Sequence, residues 1–396
     1  MDHKVQECPR DVLGTASGEN FSIRESTLMN RLRILTWNVH DRYLFSLCQT
    51  GHDFYLPVKP GRPDGYRGLR AGFPWPDNLY EVAHDQVRRL ELDCILFQSK
   101  HHYVLDRGEI LSPAQRRLPR IYLEHGLPER DPASTSHFID DPNVLLVHVT
   151  RFNNLMWNCG RTPTRVIDHG VAVPVGVRYT GELSRGITWI DHLPAKGRAY
   201  GADLFEQART QVPLDLAGQD TESMGGFGDV DSNHLAAFLG RYRFFFSPHR
   251  YSSLDLAVCE AMMIGLPIVA LATAEMAMII ENGVSGYLDT DLDRLTERMQ
   301  ELLADPALAH RLGEGARRSA WEKFGIARFA KDWDDAFQFA VERAASPVVA
   351  SSPKDDMAVA SAWPPVLVLP SAGLSLRNGT HRARARIGPQ HAKWCR

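Results

Sequence analysis

The chain has 396 residues, more than one hydrophobic core usually organises, so two α/β domains are expected. A hydrophobic fraction of 44% and a formal charge of −3 describe an ordinary globular protein with no global pull toward nucleic acid. The six cysteines (Cys8, Cys48, Cys94, Cys159, Cys259, Cys395) are scattered and form no Cys-x-x-Cys, which argues against a zinc cluster or a disulfide framework and for reduced thiols in a cytosolic protein.

Residues 1–30 read as a loose polar leader without the apolar segment of a signal peptide. No run reaches membrane-spanning length, so a cytoplasmic protein with at most peripheral membrane contact is expected. Leu32–Trp37 is the first predicted strand. A Pro/Gly-rich insertion follows from about Leu56 to Asn78, then strands at Asp93–Phe97, Arg120–Glu124 and Val144–Val149. These short apolar runs ending in polar or Gly residues suit a parallel sheet. The stretch VIDHGVAVPVGVRYTGELSRG lacks a helical period and reads as the connection between domains. A second series follows at Ile187–Asp191, Val212–Leu216, Arg243–Ser247 and Ile268–Ala272. Strand alternating with helix implies right-handed crossovers and doubly wound sheets. Leu292, Leu295, Met299, Leu302 and Leu303 share one helical face, and Ile326, Phe329, Ala330, Trp333, Phe337, Ala340 and Val341 share another. The expected organisation is a leader (1–30), a first Rossmann-like domain (31–175), a second one (176–326), a helix packing back across the domains (327–344) and a disordered tail (345–396) whose RNGTHRARAR is a basic patch.

The most informative stretch is Ser247–Gly286, SPHRYSSLDLAVCEAMMIGLPIVALATAEMAMIIENGVSG. It predicts a loop, a compact helix carrying Glu260, a Gly-Leu-Pro break, a buried strand, and a turn before another helix. That unit sets backbone N–H groups and one carboxylate at the carboxyl end of a parallel sheet, where open α/β folds bind nucleotides. With the following LLADPALAHRLGEGARRSAWEKFGIARFAKDW, it resembles the carboxyl-terminal half of a family-four, group 1 glycosyltransferase of the GT-B fold. The resemblance covers roughly residues 185–343 well, and the first half loosely through RIYLEHG, VTRFN and DHGV.

The resemblance implies two Rossmann-like doubly wound domains facing a cleft, and a retaining transfer of a sugar from a nucleoside diphosphate to a carbohydrate, lipid-linked or small-molecule acceptor. Glu260 would accept from the two ribose hydroxyls, because a carboxylate suits vicinal hydroxyl donors. Lys196, Arg198 and nearby Gly197 and Gly201 would receive the diphosphate, with His192 standing where the family has an arginine. Arg250 is a further basic candidate, and the N–H groups around Ser253–Leu256, including Leu254, would complete the donor site. The sequence departs from the family at Ser252, in place of a second glutamate, and at Asp255, in place of a glycine. A serine can bond a sugar hydroxyl but cannot stabilise anomeric positive charge; an aspartate turned outward could cap the helix.

His40 and Asp41, after the first strand, and His125, after RIYLE, lie at strand ends facing the expected cleft. They are candidates for acceptor or sugar binding, and the resemblance favours His125. The insertion YLPVKPGRPDGYRGLRAGFPWPDNLY suits an acceptor loop, with aromatic faces for sugars and guanidinium groups for phosphates, and equally a surface loop packed on itself. Asp229-x-Asp231 reads as a solvated turn rather than a metal pair, so no metal or cofactor is required. Two other functions fit the same fold: a nucleotide-sugar epimerase, which would need more cleft carboxylates, and a non-catalytic nucleotide-sugar-binding protein, which Ser252 and Asp255 favour.

Overall fold

Seven short strands, each in register with its neighbour and all parallel, build the first sheet in the order β3-β2-β1-β4-β5-β6-β7. In chain order its elements are β1 (Arg33–Leu35), α1 (Asp41–Leu47), β2 (Asp53–Val58), β3 (Leu79–Ala83), β4 (Cys94–Phe97), α2 (Arg107–Ile110), β5 (Arg120–Glu124), β6 (Val144–His148), α3 (Arg151–Met156) and β7 (Thr164–Val166). The computed structural model describes residues 31–129, 131–174, 176–228, 230 and 234–345. The leader at 1–30, the tail after 345, and Asp229 and Asp231 lie outside the described residues, which all belong to one unit, Met1–Pro347.

The second sheet has five parallel strands in the order β12-β11-β10-β8-β9. Its elements are β8 (Leu183–Trp189), α4 (Leu193–Lys196), α5 (Ala202–Arg209), β9 (Leu214–Ala217), α6 (Leu235–Gly240), β10 (Tyr242–Ser247), α7 (Leu256–Ile264), β11 (Ile268–Leu271), α8 (Met276–Ile279) and β12 (Gly286–Asp289). Helices α9 (Leu292–Ala304), α10 (Pro306–Phe324) and α11 (Ile326–Ala345) close the described chain. Strands β4, β6, β10 and β11 are buried along their whole length, as their unbroken apolar runs require in a sheet covered on both faces. Two doubly wound parallel sheets are thus present, as expected.

Three expectations need correction. The insertion starts later than Leu56, because Leu56–Val58 are the end of β2. Pro57 is tolerated there: β1 pairs only with Asp53, Phe54 and Tyr55, so the proline's missing N–H falls beyond the end of β1. The interdomain stretch is shorter than read, since β7 takes its first residue, Val166, and β8 begins at Leu183 rather than Ile187. That strand also ends at Trp189, which frees Ile190 and Asp191 for a loop. Finally, the NGVSGY turn runs directly into a strand, β12, paired along β11.

The last helix belongs to the first sheet's core. Phe329, Trp333 and Phe337 are fully buried against Ile34, Tyr43 and Phe54, and Trp333 Nε1 donates to Tyr43 Oη at 3.2 Å. The chain therefore returns across the molecule after finishing the second sheet. Trp333→Ala should lower the stability of the folded chain by about 3–5 kcal/mol, read as a shift in the urea unfolding midpoint. An unmoved midpoint would show that α11 is not part of this core.

Candidate active site

Each sheet has one place where the strand order reverses. In the first, β1 stands between β2 and β4; in the second, β8 stands between β10 and β9. Crevices open at the carboxyl ends of strands at such points. The loop after β1 holds Val39 and His40, and the loops after β8 and β10 hold Asp191, His192 and Ser253–Asp255. All of these residues line a single cleft of about 560 Å3.

On the second sheet's side the cleft wall is the start of α7. The first intrahelical donors of this nine-residue helix are Val258 and Cys259, both to Asp255 O, so the amides of Leu256 and Ala257 have no partner within the helix. Both residues line the cleft. The helix is held rigidly because Ala257, Val258, Cys259, Ala261 and Met262 are all in the core. Asp255 occupies the N-cap position, yet its side chain makes no capping bond. Its Oδ2 lies 3.0 Å from Nε2 of buried His249, whose Nδ1 is 2.9 Å from Ser247 Oγ. Burial opposes ionisation of Asp255, but His249, Lys196 and Arg42 outweigh it and hold the carboxyl below its ordinary range.

Glu260 stands one turn beyond Ala257 on the same face of α7. Its Oε2 accepts from Arg42 Nη1 of α1 at 2.5 Å, an ion pair between the two lobes. Burial pushes the Glu260 carboxyl up, and Arg42 offsets part of that rise.

The loop after β8 brings Lys196 to the cleft, with Nζ 4.5 Å from the centre of the Tyr200 ring. His192 adopts φ 57° and sets Nδ1 2.8 Å from Asp220 Oδ2. Gly197, with φ 57°, has nothing within 4 Å of a would-be Cβ. At Gly201 a Cβ would meet Pro248 O, so only glycine lets the loops after β8 and β10 close on each other. Arg198 and Arg250 are not brought to the cleft. Asp203 collects both: Arg198 Nη1 donates to it at 2.6 Å, and Arg250 through Nη1 and Nη2 at 2.5 and 2.9 Å. Ser252 is turned inward, its hydroxyl donating to Ser253 O at 2.9 Å, whereas Ser253 and Leu254 line the cleft. Ser253 Oγ is buried and has no hydrogen-bond partner among the described residues.

On the first sheet's side His40 and His125 meet edge to face at 4.9 Å, and His125 packs on Tyr43 at 5.0 Å. Gln98 Nε2 donates to Thr36 Oγ1 and Trp37 O at 2.9 and 3.0 Å, which turns its Oε1 to His125 Nε2, 3.2 Å away. His125 must then carry its proton on Nε2 and present Nδ1 as an acceptor. Burial holds His125 well below the usual histidine range. Asp41 accepts from Asn38 Nδ2 at 2.6 Å. Two further residues were not singled out from the sequence. Arg42 directly follows the predicted pair, and His169, within DHGV, sits 2.9 Å through Nε2 from Leu254 O. Burial pushes His169 down to about 4, so it is neutral and donates to that carbonyl across the lobes.

Residues 204–305 match the family described as Glycosyl transferases group 1. Spore coat protein SA of Bacillus subtilis (strain 168) is 32% identical over 101 residues, 22% of this chain and 27% of that protein. The MMP alpha-(1->4)-mannosyltransferase of Mycolicibacterium hassiacum is 31% identical over 120 residues, 30% of this chain and 29% of the enzyme. The chain thus matches between a quarter and a third of the length of these curated relatives. In fold it is similar to sucrose-phosphate synthase from Thermosynechococcus elongatus (TM-score 0.58, 15% identity, 80% of this chain and 100% of that one). It is also similar to Anabaena Alr3699/HepE in complex with UDP and glucose (TM-score 0.56, 15% identity, 78% and 100%). The fold is GT-B, as the resemblance implied.

The Arg42–Glu260 pair has a direct check. Arg42→Ala removes the cation that favours the ionised carboxylate and leaves burial unopposed, so the Glu260 pKa should rise further in a carboxyl NMR titration. A value that stays put or falls would show that the pair does not form in solution.

Proposed function

We propose that this chain, a group 1 glycosyltransferase by its match over residues 204–305 and a GT-B protein by fold, transfers a sugar from a nucleoside diphosphate to an acceptor in the cleft, with retention and without a metal. The observation that carries this reading is the cleft wall formed by Lys196 and the first amides of α7, with Glu260 one turn further along the helix, bonded to the cleft residue Arg42. A cation and unpaired N–H groups at a helix start suit a diphosphate, and a carboxylate just beyond suits the ribose. Arg42 favours the ionised form of Glu260 against burial while occupying one oxygen, and a carboxylate has further lone pairs for the two hydroxyls. Ser253 Oγ adds an unused hydroxyl next to the phosphate position.

In the transfer, the bond between the anomeric carbon and the phosphate oxygen breaks while the acceptor oxygen bonds to the same face. The acceptor proton passes to the departing phosphate oxygen. Lys196 and the amides of Leu256 and Ala257 take up the negative charge that develops there. His125, neutral with Nδ1 as acceptor, receives a hydroxyl of the transferred sugar. The Asp255 carboxylate is turned to His249 Nε2 at 3.0 Å in this arrangement, rather than left open to the diphosphate. Arg198 and Arg250 have no direct part, being engaged with Asp203. Ser252 favours a second reading, a protein that binds the nucleotide sugar without turning it over, since its hydroxyl is spent on Ser253 O where the family has a glutamate.

Glu260→Ala should weaken nucleoside diphosphate binding about 10- to 100-fold, the loss of roughly 1.5–3 kcal/mol of charge-assisted hydrogen bonding, with the fold retained by circular dichroism. Unchanged affinity measured by calorimetry would remove Glu260 from the site. Lys196→Ala should lower turnover about 10²- to 10³-fold, more than it lowers donor affinity. In a nucleotide-sugar panel, thermal stabilisation with neither transfer nor donor hydrolysis would decide for the non-catalytic reading.

A further inference from the structure

At Ser252 the chain lacks the acidic group that the family keeps at that position, and the serine hydroxyl is spent on Ser253 O. Three residues on, a carboxylate stands where the family has a glycine. Asp255 lines the cleft, and its side chain is 36% exposed there, while the histidine that holds it is buried.

The orientation of Asp255 is set from behind. An aspartate at an N-cap ordinarily turns back to accept from the second or third amide of its helix. Asp255 makes no such bond, which leaves the amide of Ala257 for a ligand. Instead, Oδ2 lies 3.0 Å from His249 Nε2. His249 is itself fixed on three sides. Its Nδ1 is 2.9 Å from Ser247 Oγ at the end of β10, its carbonyl accepts from Thr273 Oγ1 at 2.6 Å, and the Tyr200 ring meets it edge-on at 5.2 Å. The other oxygen, Oδ1, makes no hydrogen bond among the described residues. Because the carboxyl is held below its ordinary range, it is ionised at neutral pH and can only accept.

A nucleoside diphosphate sugar runs from ribose through diphosphate to sugar. With the ribose at Glu260 and the diphosphate at the first amides of α7, the sugar lies past the helix start, beside the residue that precedes Leu256. The other carboxylates lining the cleft are placed elsewhere. Asp41 opens α1 on the opposite wall and accepts from Asn38 Nδ2 at 2.6 Å; Asp191 belongs to the loop after β8 and accepts from the Gln219 amide at 3.0 Å.

We propose that Asp255 Oδ1 accepts a hydroxyl of the transferred sugar and so selects a nucleotide carrying a hydroxyl-rich sugar over the bare nucleotide, the part that Ser252 does not fill. This rests on the donor reading above, which sets the order of ribose, diphosphate and sugar along α7. A hydroxyl bonded to a carboxylate is a charge-assisted contact. The product nucleoside diphosphate offers a charged terminal phosphate at the same place, which the carboxylate repels. Asp255 thus favours donor over product.

Calorimetry on the full chain tests this with Asp255→Asn and with Asp255→Gly, which restores the family's residue. Three pairs are titrated: UDP with UDP-glucose, UDP with UDP-N-acetylglucosamine, and GDP with GDP-mannose. In the pair that binds the wild-type chain most tightly, the preference for nucleotide sugar over nucleotide should fall about 10- to 100-fold. Affinity for the nucleotide itself should be held or raised. Either variant that keeps its fold by circular dichroism suffices. A preference that does not move overturns the role. An equal loss for nucleotide and nucleotide sugar overturns it as well, and makes Asp255 a support of the helix start. Both of these results leave the donor reading in place, because the wild-type chain binds the nucleotide. If the wild-type chain binds none of the nucleotides, the donor reading falls and the role of Asp255 falls with it.

Discussion

A guanidinium from α1 and a carboxylate from α7 meet across the cleft, and the arrangement of the site follows from that contact. Neither group is well exposed, so each needs the other: removing a partner would leave a partly buried charge uncompensated. The pair ties the switch point of the first sheet to that of the second. Arg42 lines the same cleft as Lys196 and the start of α7. Weaker ties run parallel to it. His169 donates to Leu254 O, and buried Glu275 accepts from Phe152 N at the start of α3 at 3.0 Å.

The cleft separates charge by lobe and by depth. On the second sheet's wall, negative groups are either held by a neighbouring side chain, as Asp255 is by His249, or drawn outward. Asp203 is an example of the second kind. It sits in the first turn of α5, where the helix dipole favours a carboxylate, and from there it takes Arg198 and Arg250 away from the cleft. Lys196 is left as the cation of that loop which lines the cleft. On the opposite wall the buried histidines stay neutral, held down by burial and by one another, and so act as hydrogen-bonding groups rather than as charges.

Much of the architecture was legible because parallel strands buried on both faces must be continuous apolar runs. Cys94–Phe97, Val144–His148 and Ile268–Leu271 announce themselves this way. The stripe of Phe329, Trp333 and Phe337 gave the last helix, though not the lobe whose core it fills. β2 was missed because Pro57 and the residues after it read as the start of a Pro/Gly-rich insertion, and whether a proline fits a strand depends on where the adjacent strand ends. β12 was hidden behind its own turn motif. In the site, Lys196, His40, His125, Ser253 and Leu254 reach the cleft, the two histidines predicted from strand ends and the others from the family resemblance. Arg198 and Arg250 do not, and Arg42 went unnoticed beside His40 and Asp41.

By itself, the amino-acid order determined which segments become strands and helices, that two parallel sheets form, and that their carboxyl ends carry the polar groups. These are matters of local periodicity, turn chemistry and the need to bury apolar runs. Tertiary structure alone decided which charge pairs with which: Arg42 with Glu260, His249 with Asp255, and two arginines with Asp203 rather than with a phosphate. The reason is that a long charged side chain can reach several partners, and the choice among them rests on solvent exclusion and distances set only when both lobes have closed on the cleft.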